Sequence, residues 1–403
     1  MSLLIKNGKA FINGELIEKN IFINNGKIKK ILPKNKTTRT DNIIDAKNKI
    51  ILPGLIDCHV HFREPGLTHK GDFFTESRAA AKGGVTTILD MPNTIPPTIT
   101  AKLLEQKRNL ASKSVVNYGF HFGASVGKIN EVKKAKNIAS VKLYMDYTTG
   151  DLKIDEHDYI VDLLKASRIT ALHAEEGNIK NIIDILINNK IKNKLHFCHV
   201  SSESELAIAT QNKVKSSISV EVTPHHLFMN KKDVERLGPY AEMKPRLKSE
   251  KDRKALWEGI KNGIVDVIAT DHAPHLMEEK ENPEYPFGVP GLETMLPLLL
   301  DAFNNKQIGL KKIVELCAEN PSRIFRIKNK GYIREGFDAD LTVVDLSAVK
   351  EVKKKELLTK CGWSPFEGRK LKGWPSTTIV RGNIIYDNGA INNIKAMEVE
   401  YGR

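Results

Sequence analysis

The sequence predicts an α/β chain: a (β/α)8 barrel over residues 51–330, joined to a small β-sandwich assembled from residues 1–50 and 331–403. Three observations lead there. Short apolar strands alternate with helical stretches through the middle. Both ends are rich in strand and turn signals. Histidines and acids gather where the apolar strands end. In a parallel barrel those strand ends form one rim, so side chains far apart in sequence can meet there.

The first fifty residues carry LLIKNGKAFING and IFINNGKIKKILP, in which Asn-Gly steps between alternating apolar residues are hairpin signals. Residues 331–403 return to that texture in DADLTVVDL and TTIVRGNIIYDNG. Between them, strands are expected at 54–62, 85–91, 116–123, 140–144, 169–174, 195–200, 218–222 and 265–270. Helical patterns lie between these, among them 74–82, 179–187 and 203–212.

Composition narrows the class. A chain of 403 residues, 40% hydrophobic, can bury a large core. Its four cysteines (Cys58, Cys198, Cys317, Cys361) are far apart, with no CxxC pair, which points to a reducing, cytoplasmic setting. The N-terminus lacks the apolar core of a secretory signal, and no apolar run approaches the roughly 18 residues of a membrane span. The formal charge of +14 comes from basic residues scattered along the chain, without an arginine-rich arm or interleaved aromatics. It reads as solvated lysine on helix surfaces, not as a nucleic-acid footprint.

The rim carries the chemistry. The first strand ends in Asp57-Cys58-His59-Val60-His61-Phe62-Arg63, where alternation turns His59 and His61 the same way. An isolated HxH is weak. However, the fifth strand ends in Leu172-His173-Ala174-Glu175, the sixth in Cys198-His199 and the eighth in Thr270-Asp271-His272. Imidazole and carboxylate are the ordinary ligands of zinc-like cations. A metal site is therefore expected. In the fourth strand, Lys142 stands amid apolar residues, where burial disfavours its charged form. Two readings stay open: a lysine reaching out to solvent, or a neutral amine carboxylated by carbon dioxide into an anionic ligand.

The ordered segments LPGLIDCHVHFREPG, AAAKGGVTTILDMPNT, VKLYM, ALHAEE, FCHVSS, EVTPHHLF, ATDHAPH and VPGLETMLPLLL resemble the dihydroorotases of the amidohydrolase superfamily along nearly the whole chain. The resemblance implies closure of N-carbamoyl-L-aspartate to L-dihydroorotate, and its reversal, in pyrimidine biosynthesis. It implies two divalent cations, with zinc the expected metal. His59, His61 and Asp271 would hold one, His173 and His199 the other, and carboxylated Lys142 would bridge them. A hydroxide between the cations would attack the ring amide, and Asp271 would be the general acid–base. Arg63, Asn93 and His275 would bind the substrate carboxylate; backbone groups at Val289, Pro290 and Gly291 would meet the ring. Thr148, on a lid over 146–151, would touch the substrate. Lys244 stands where relatives carry Arg or Asn, and its involvement is left open. So are a homo-oligomer and association with aspartate carbamoyltransferase.

Other residues read as structural. His225 and His226 follow the seventh strand, and His121 lies on the third; all three are expected near the ligands without binding metal. His69 and His157 are expected at the surface. Cys58 and Cys198 are read as small core residues on the strand face opposite the ligand histidines, and Glu64 as a brace for its loop. Among rivals, a hydantoinase, dihydropyrimidinase or allantoinase would share the metal motifs but would not need Arg63, Asn93 and His275 for an uncharged ring. A non-catalytic scaffold would be expected to have lost ligands, yet every expected metal position is filled.

Overall fold

The computed structural model describes residues 2–147, 152–213 and 217–402. Six strands come first: β1 (Ser2–Lys6), β2 (Lys9–Ile12), β3 (Glu15–Asn24), β4 (Lys27–Pro33), β5 (Asn42–Asp45) and β6 (Ile50–Pro53). Eight strands with intervening helices follow: β7 (Leu55–Val60), β8 (Val85–Asp90), β9 (Asn117–Gly123), β10 (Ser140–Tyr144), β11 (Ile169–His173), β12 (Lys194–Phe197), β13 (Ile218–Val222) and β14 (Val267–Ile268). The chain ends through β15 (Leu341–Glu351), β16 (Lys370–Val380), β17 (Asn383–Asp387) and β18 (Ala390–Ile391).

Strands β7 to β14 form one parallel sheet in chain order. Every residue of β7 and β8 is buried, as expected where helices cover one face and packed side chains fill the other. The helix Phe73–Lys82 shows how the layers are specified. Asp72 caps its start, accepting from the amides of Phe74 and Thr75, and Phe73, Ala79, Ala80 and Ala81 pack into the core.

The barrel closes between its first and last strands without a regular ladder. Asp57 in β7 accepts the Thr270 amide (3.1 Å) and the Thr270 hydroxyl (2.6 Å), and the His61 amide donates to the His272 carbonyl (2.8 Å). No helix among the described residues is long and apolar enough to cross a membrane.

The two chain ends build a separate mixed sheet, in the order β18-β17-β16-β15-β6-β2-β3-β1-β5, with β4 on β3. Two Asn-Gly steps make the expected hairpins. Asn13-Gly14 and Asn25-Gly26 each place both residues at positive φ, the signature of a tight turn between antiparallel strands. Asn7-Gly8 does not. Strands β1 and β2 pair with different halves of β3, which is long enough to receive both. A Cβ on Gly8 would lie 2.9 Å from Ala46 Cβ and from Ile51 Cδ1, so glycine here permits a close chain passage. Residues from both ends, including Leu3, Ile21, Ile51, Leu341 and Ile379, share one core in this sheet. The sandwich is thus a single continuous sheet whose parts share an interior.

One buried ion pair fixes the rim. Lys107 Nζ sits 2.5 Å from Asp90 Oδ2, with both side chains fully buried, and also donates to the Met91 carbonyl. The other Asp90 oxygen accepts the Phe62 amide (2.7 Å), one residue before Arg63. Removing one partner strands a buried charge. Lys107→Met should therefore cost about 3–5 kcal/mol of stability, and adding Asp90→Asn should recover part of that loss. Chemical denaturation of the three variants checks this; equal midpoints for Lys107→Met and the parent would refute it.

Candidate metal centre

At the C-terminal ends of the strands, four imidazoles line up edge to edge. The His61 and His59 ring centres are 5.4 Å apart, those of His59 and His199 5.3 Å, and those of His199 and His173 4.6 Å. Asp271 joins one end of this row, its Oδ1 lying 3.2 Å from His59 Nε2 and 3.0 Å from His61 Nε2. Lys142 is wholly buried, and its Nζ lies 3.0 Å from Cys198 Sγ.

Backbone geometry marks the same places. Arg63, His199 and Asp271 all have positive φ (67°, 37° and 46°), a region that non-glycine residues occupy at a cost of about 1–3 kcal/mol each. All three fall just past the ends of strands, where the chain must turn sharply to aim a side chain inward.

The donor set fits cations. Nδ1 of His173 and Nε2 of His199 are 2.7 Å apart, while the other nitrogen of each ring is buried without a protein partner. Ligand atoms of His59, His199 and Asp271 all lie within 4.8 Å of one another. Burial would lower the His59 pKa, but the Glu221 and Asp271 carboxylates outweigh it and raise it well above the ordinary value. A ring clamped between two carboxylates marks a locus built for positive charge. Burial would raise the Asp271 pKa, yet His59 and His61 hold it below the usual carboxylate range. These residues form a site compatible with a pair of metal ions.

Substrate-side candidates lie beside this row. Arg63 is buried, donating from Nε to the Pro274 carbonyl (3.1 Å), with Nη2 2.9 Å from His275 Nε2. Asn93 Oδ1 lies 2.7 Å from His61 Nδ1. Val289 carries the Ala273 amide on its carbonyl, Pro290 is buried beside it, and the Gly291 amide donates to His272 Nδ1 (3.1 Å). Lys244 is half-buried, its Nζ 4.7 Å above the Phe287 ring. Thr148 lies outside the described residues, as does most of the 146–151 segment.

Support comes from residues that the motifs did not single out. Glu221, in the ISVEV strand, is fully buried. One oxygen takes His59 Nδ1 (2.7 Å) and the His199 amide (3.0 Å), and the other takes His196 Nε2 (3.0 Å). A carboxylate at an inward strand position was the available signal. His272 is held by Glu76 (2.9 Å), which also accepts from Thr359 and Lys360.

The cysteines correct the sequence reading. Both are buried, but neither turns away from the site. Strand β12 ends at Phe197, so alternation no longer governs Cys198, which faces Lys142. The β7–β8 register is irregular between Asp57 and Val60, and the Cys58 thiol approaches Glu221 at 3.6 Å. His121 bonds the Cys58 carbonyl and Ser140; His226 bonds Thr223 and the Pro245 carbonyl. His225 is buried with Nε2 unpartnered, while His69 and His157 are exposed. Glu64 does brace its loop, accepting from the Phe73 amide and Lys113.

Burial pushes His61 and His226 down to about 4, and burial with the Lys142 cation pushes His173 to about 3. These rings are neutral when folded, but they take up protons near pH 6.5 once unfolded. The unfolded state therefore binds more protons between pH 6.5 and 4, and stability should fall as pH drops through that window. Denaturation midpoints of metal-depleted protein at pH 7 and pH 5 check this; no loss at pH 5 would contradict it.

Three comparisons place the chain among known proteins. The amidohydrolase family profile matches residues 50–385. A dihydroorotase from Pyrococcus abyssi is 40% identical over 406 residues, covering 96% of both chains. One from Methanosarcina acetivorans is 35% identical over 433 residues, covering 96% of this chain and 92% of its own. Among solved structures, an L-hydantoinase (dihydropyrimidinase) from Arthrobacter aurescens superposes with a TM-score of 0.92 at 26% identity, covering 99% of each chain.

Proposed function

The chain belongs to the amidohydrolase family, and from that premise we propose how its rim residues divide the work of opening and closing a cyclic amide. Its activity is that of a dihydroorotase, interconverting N-carbamoyl-L-aspartate and L-dihydroorotate. The observation that carries the assignment of roles is a juxtaposition: a buried guanidinium, Arg63, one turn of chain from the His59/His61/Asp271 cluster.

In this reading His59, His61 and Asp271 would hold one divalent cation, and His173 and His199 a second. Lys142, if carboxylated on Nζ, would supply an anionic oxygen ligand; zinc suits the imidazole and carboxylate donors. When bound, such a pair polarises an amide carbonyl and makes water a better nucleophile. Glu221 receives His59 Nδ1 and leaves Nε2 to face the cation.

Asp271 is the proton carrier. In ring opening it accepts a proton from the attacking water on a carboxylate oxygen and delivers it to the departing ring nitrogen. In closure the same oxygen removes that proton from the ureido nitrogen, which attacks the side-chain carboxyl carbon; the carboxyl C–O bond then breaks, and Asp271 returns the proton to the oxygen that leaves as water. His59 and His61 keep the Asp271 carboxylate ionised. Arg63, Asn93 and His275 bind the carboxylate that does not react, a planar guanidinium being suited to two parallel hydrogen bonds. Since Gly291 spends its amide on His272, the ring contacts of that segment fall on Val289 and Pro290.

Arg63→Lys should lower kcat/KM for dihydroorotate about 10- to 100-fold, because a point charge cannot replace a bidentate grip. Turnover at the parental rate would remove Arg63 from the clamp. Asp271→Asn should lower kcat about 10²- to 10⁴-fold, with metal content measured on the same sample. An assay of dihydroorotate against hydantoin, dihydrouracil and allantoin tests the substrate directly: turnover confined to an uncharged ring would overturn the reading.

A further inference from the structure

His275 sits at the centre of a buried group of donors whose hydrogen bonds cannot all be satisfied by the protein. Its Nδ1 lies 3.1 Å from Lys70 Nζ, and its Nε2 lies 3.0 Å from the Phe287 carbonyl oxygen and 2.9 Å from Arg63 Nη2. An ammonium has hydrogens and no lone pair, so Nδ1 must accept from Lys70. The ring hydrogen then resides on Nε2, where the Phe287 carbonyl accepts it. The opposite tautomer would set N–H against ammonium and a lone pair against a carbonyl, two mismatches, and would gain an acceptor only for Arg63 Nη2.

One mismatch remains in the favoured tautomer. Arg63 Nη2 is also purely a donor, and in this tautomer Nε2, whose hydrogen goes to Phe287, has no lone pair to offer it. With the Nε2 hydrogen taken by Phe287, Arg63 Nη2 is the donor left over, and a buried donor without an acceptor suits an anion. The ring has little freedom to escape this arrangement. Trp363 Nε1 donates to the His275 carbonyl (2.7 Å), and Gly288 packs so close that a Cβ there would stand 3.1 Å from Nε2. Gly288 also has φ of 135°, a conformation that side chains rarely adopt. Lys70 is itself anchored by Glu279 at 2.7 Å, and that carboxylate is held by the Leu276 amide (2.9 Å). Burial and the surrounding Arg63, Lys70 and Lys280 cations keep His275 from taking a second proton.

We infer that Lys70, anchored by Glu279, is a positioning residue that fixes the Nε2–H tautomer of His275, so that Nε2 offers Arg63 no lone pair and Arg63 Nη2 stays free to donate to the substrate carboxylate. The inference deepens the proposed function and rests on it for the identity of the anion. It does not need that reading for the tautomer.

The experiment pairs two readouts on the metal-loaded enzyme and on Lys70→Met, Lys70→Arg and Glu279→Gln variants. Nitrogen-15 NMR of labelled histidines reports the tautomer, with His275 assigned by its loss in a His275→Asn variant. Kinetics report KM and kcat for dihydroorotate. The parent should show His275 protonated on Nε2 only. Lys70→Met should shift it to the Nδ1–H form or a mixture, and raise KM about tenfold or more with a smaller change in kcat. Lys70→Arg should restore the Nε2–H signature, and Glu279→Gln should fall between. An unchanged tautomer in Lys70→Met, or an unchanged KM alongside a changed tautomer, would overturn the inference. Should the enzyme turn over only uncharged rings, the proposed function would fail separately, and the spectra would still decide the role of Lys70.

Discussion

Closure of the barrel by Asp57 is the constraint on which the candidate site depends. The last strand is only two residues long, so ladder hydrogen bonds alone cannot hold it beside the first. The buried Asp57 carboxylate instead takes both the amide and the hydroxyl of Thr270, and it also accepts the amide of His59. One side chain therefore ties the residue before Asp271 to the residue that opens the HxH pair. Burial pushes this carboxyl up to about 6, and the three donors around it pull the other way. Without that seam, Asp271 and the two histidines would belong to separate edges of an open sheet.

A second carboxylate organises the opposite side of the row. Glu221 holds His59 through Nδ1 and the backbone of His199 through the other face of the same oxygen, so the two halves of the cation site share a brace. Burial would raise its pKa, but His59 and His196 outweigh that and keep it ionised. Negative charge thus lies beneath the imidazoles and positive charge, from Arg63 and Lys70, lies beside them.

The barrel was legible because period and chemistry agree. Six of the eight strands fall within a residue or two of the expected segments; β12 ends three residues early, at Phe197, and the eighth is shorter because its pairing is taken over by the Asp57 seam. His59, His61, His173, His199 and Asp271 could be placed together because strand ends of a parallel barrel share one rim. Glu221 and Asp57 were less visible. Their role lies in what they hold, and a lone acid in an apolar strand has no spacing to announce a partner two hundred residues away in the case of Asp57 and Thr270. Cys198 was misplaced for a related reason: alternation applies only while the chain remains pleated, and it leaves the pleat at Phe197. The Asn7-Gly8 step shows that a turn dipeptide fixes a bend, while the choice of partner strand belongs to the longer β3.

The shared terminal sheet has a consequence for how the molecule is made. Strand β6 is flanked on one side by β2 and on the other by β15, which lies beyond the whole barrel in the chain. During synthesis, the first six strands emerge with that edge open, and it stays open until the ribosome has finished the last helix of the barrel. Pairings of such long separation form late and slowly. The far side of β6 can therefore be covered only by residues made after the whole barrel, so completion of this sheet depends on the end of the chain.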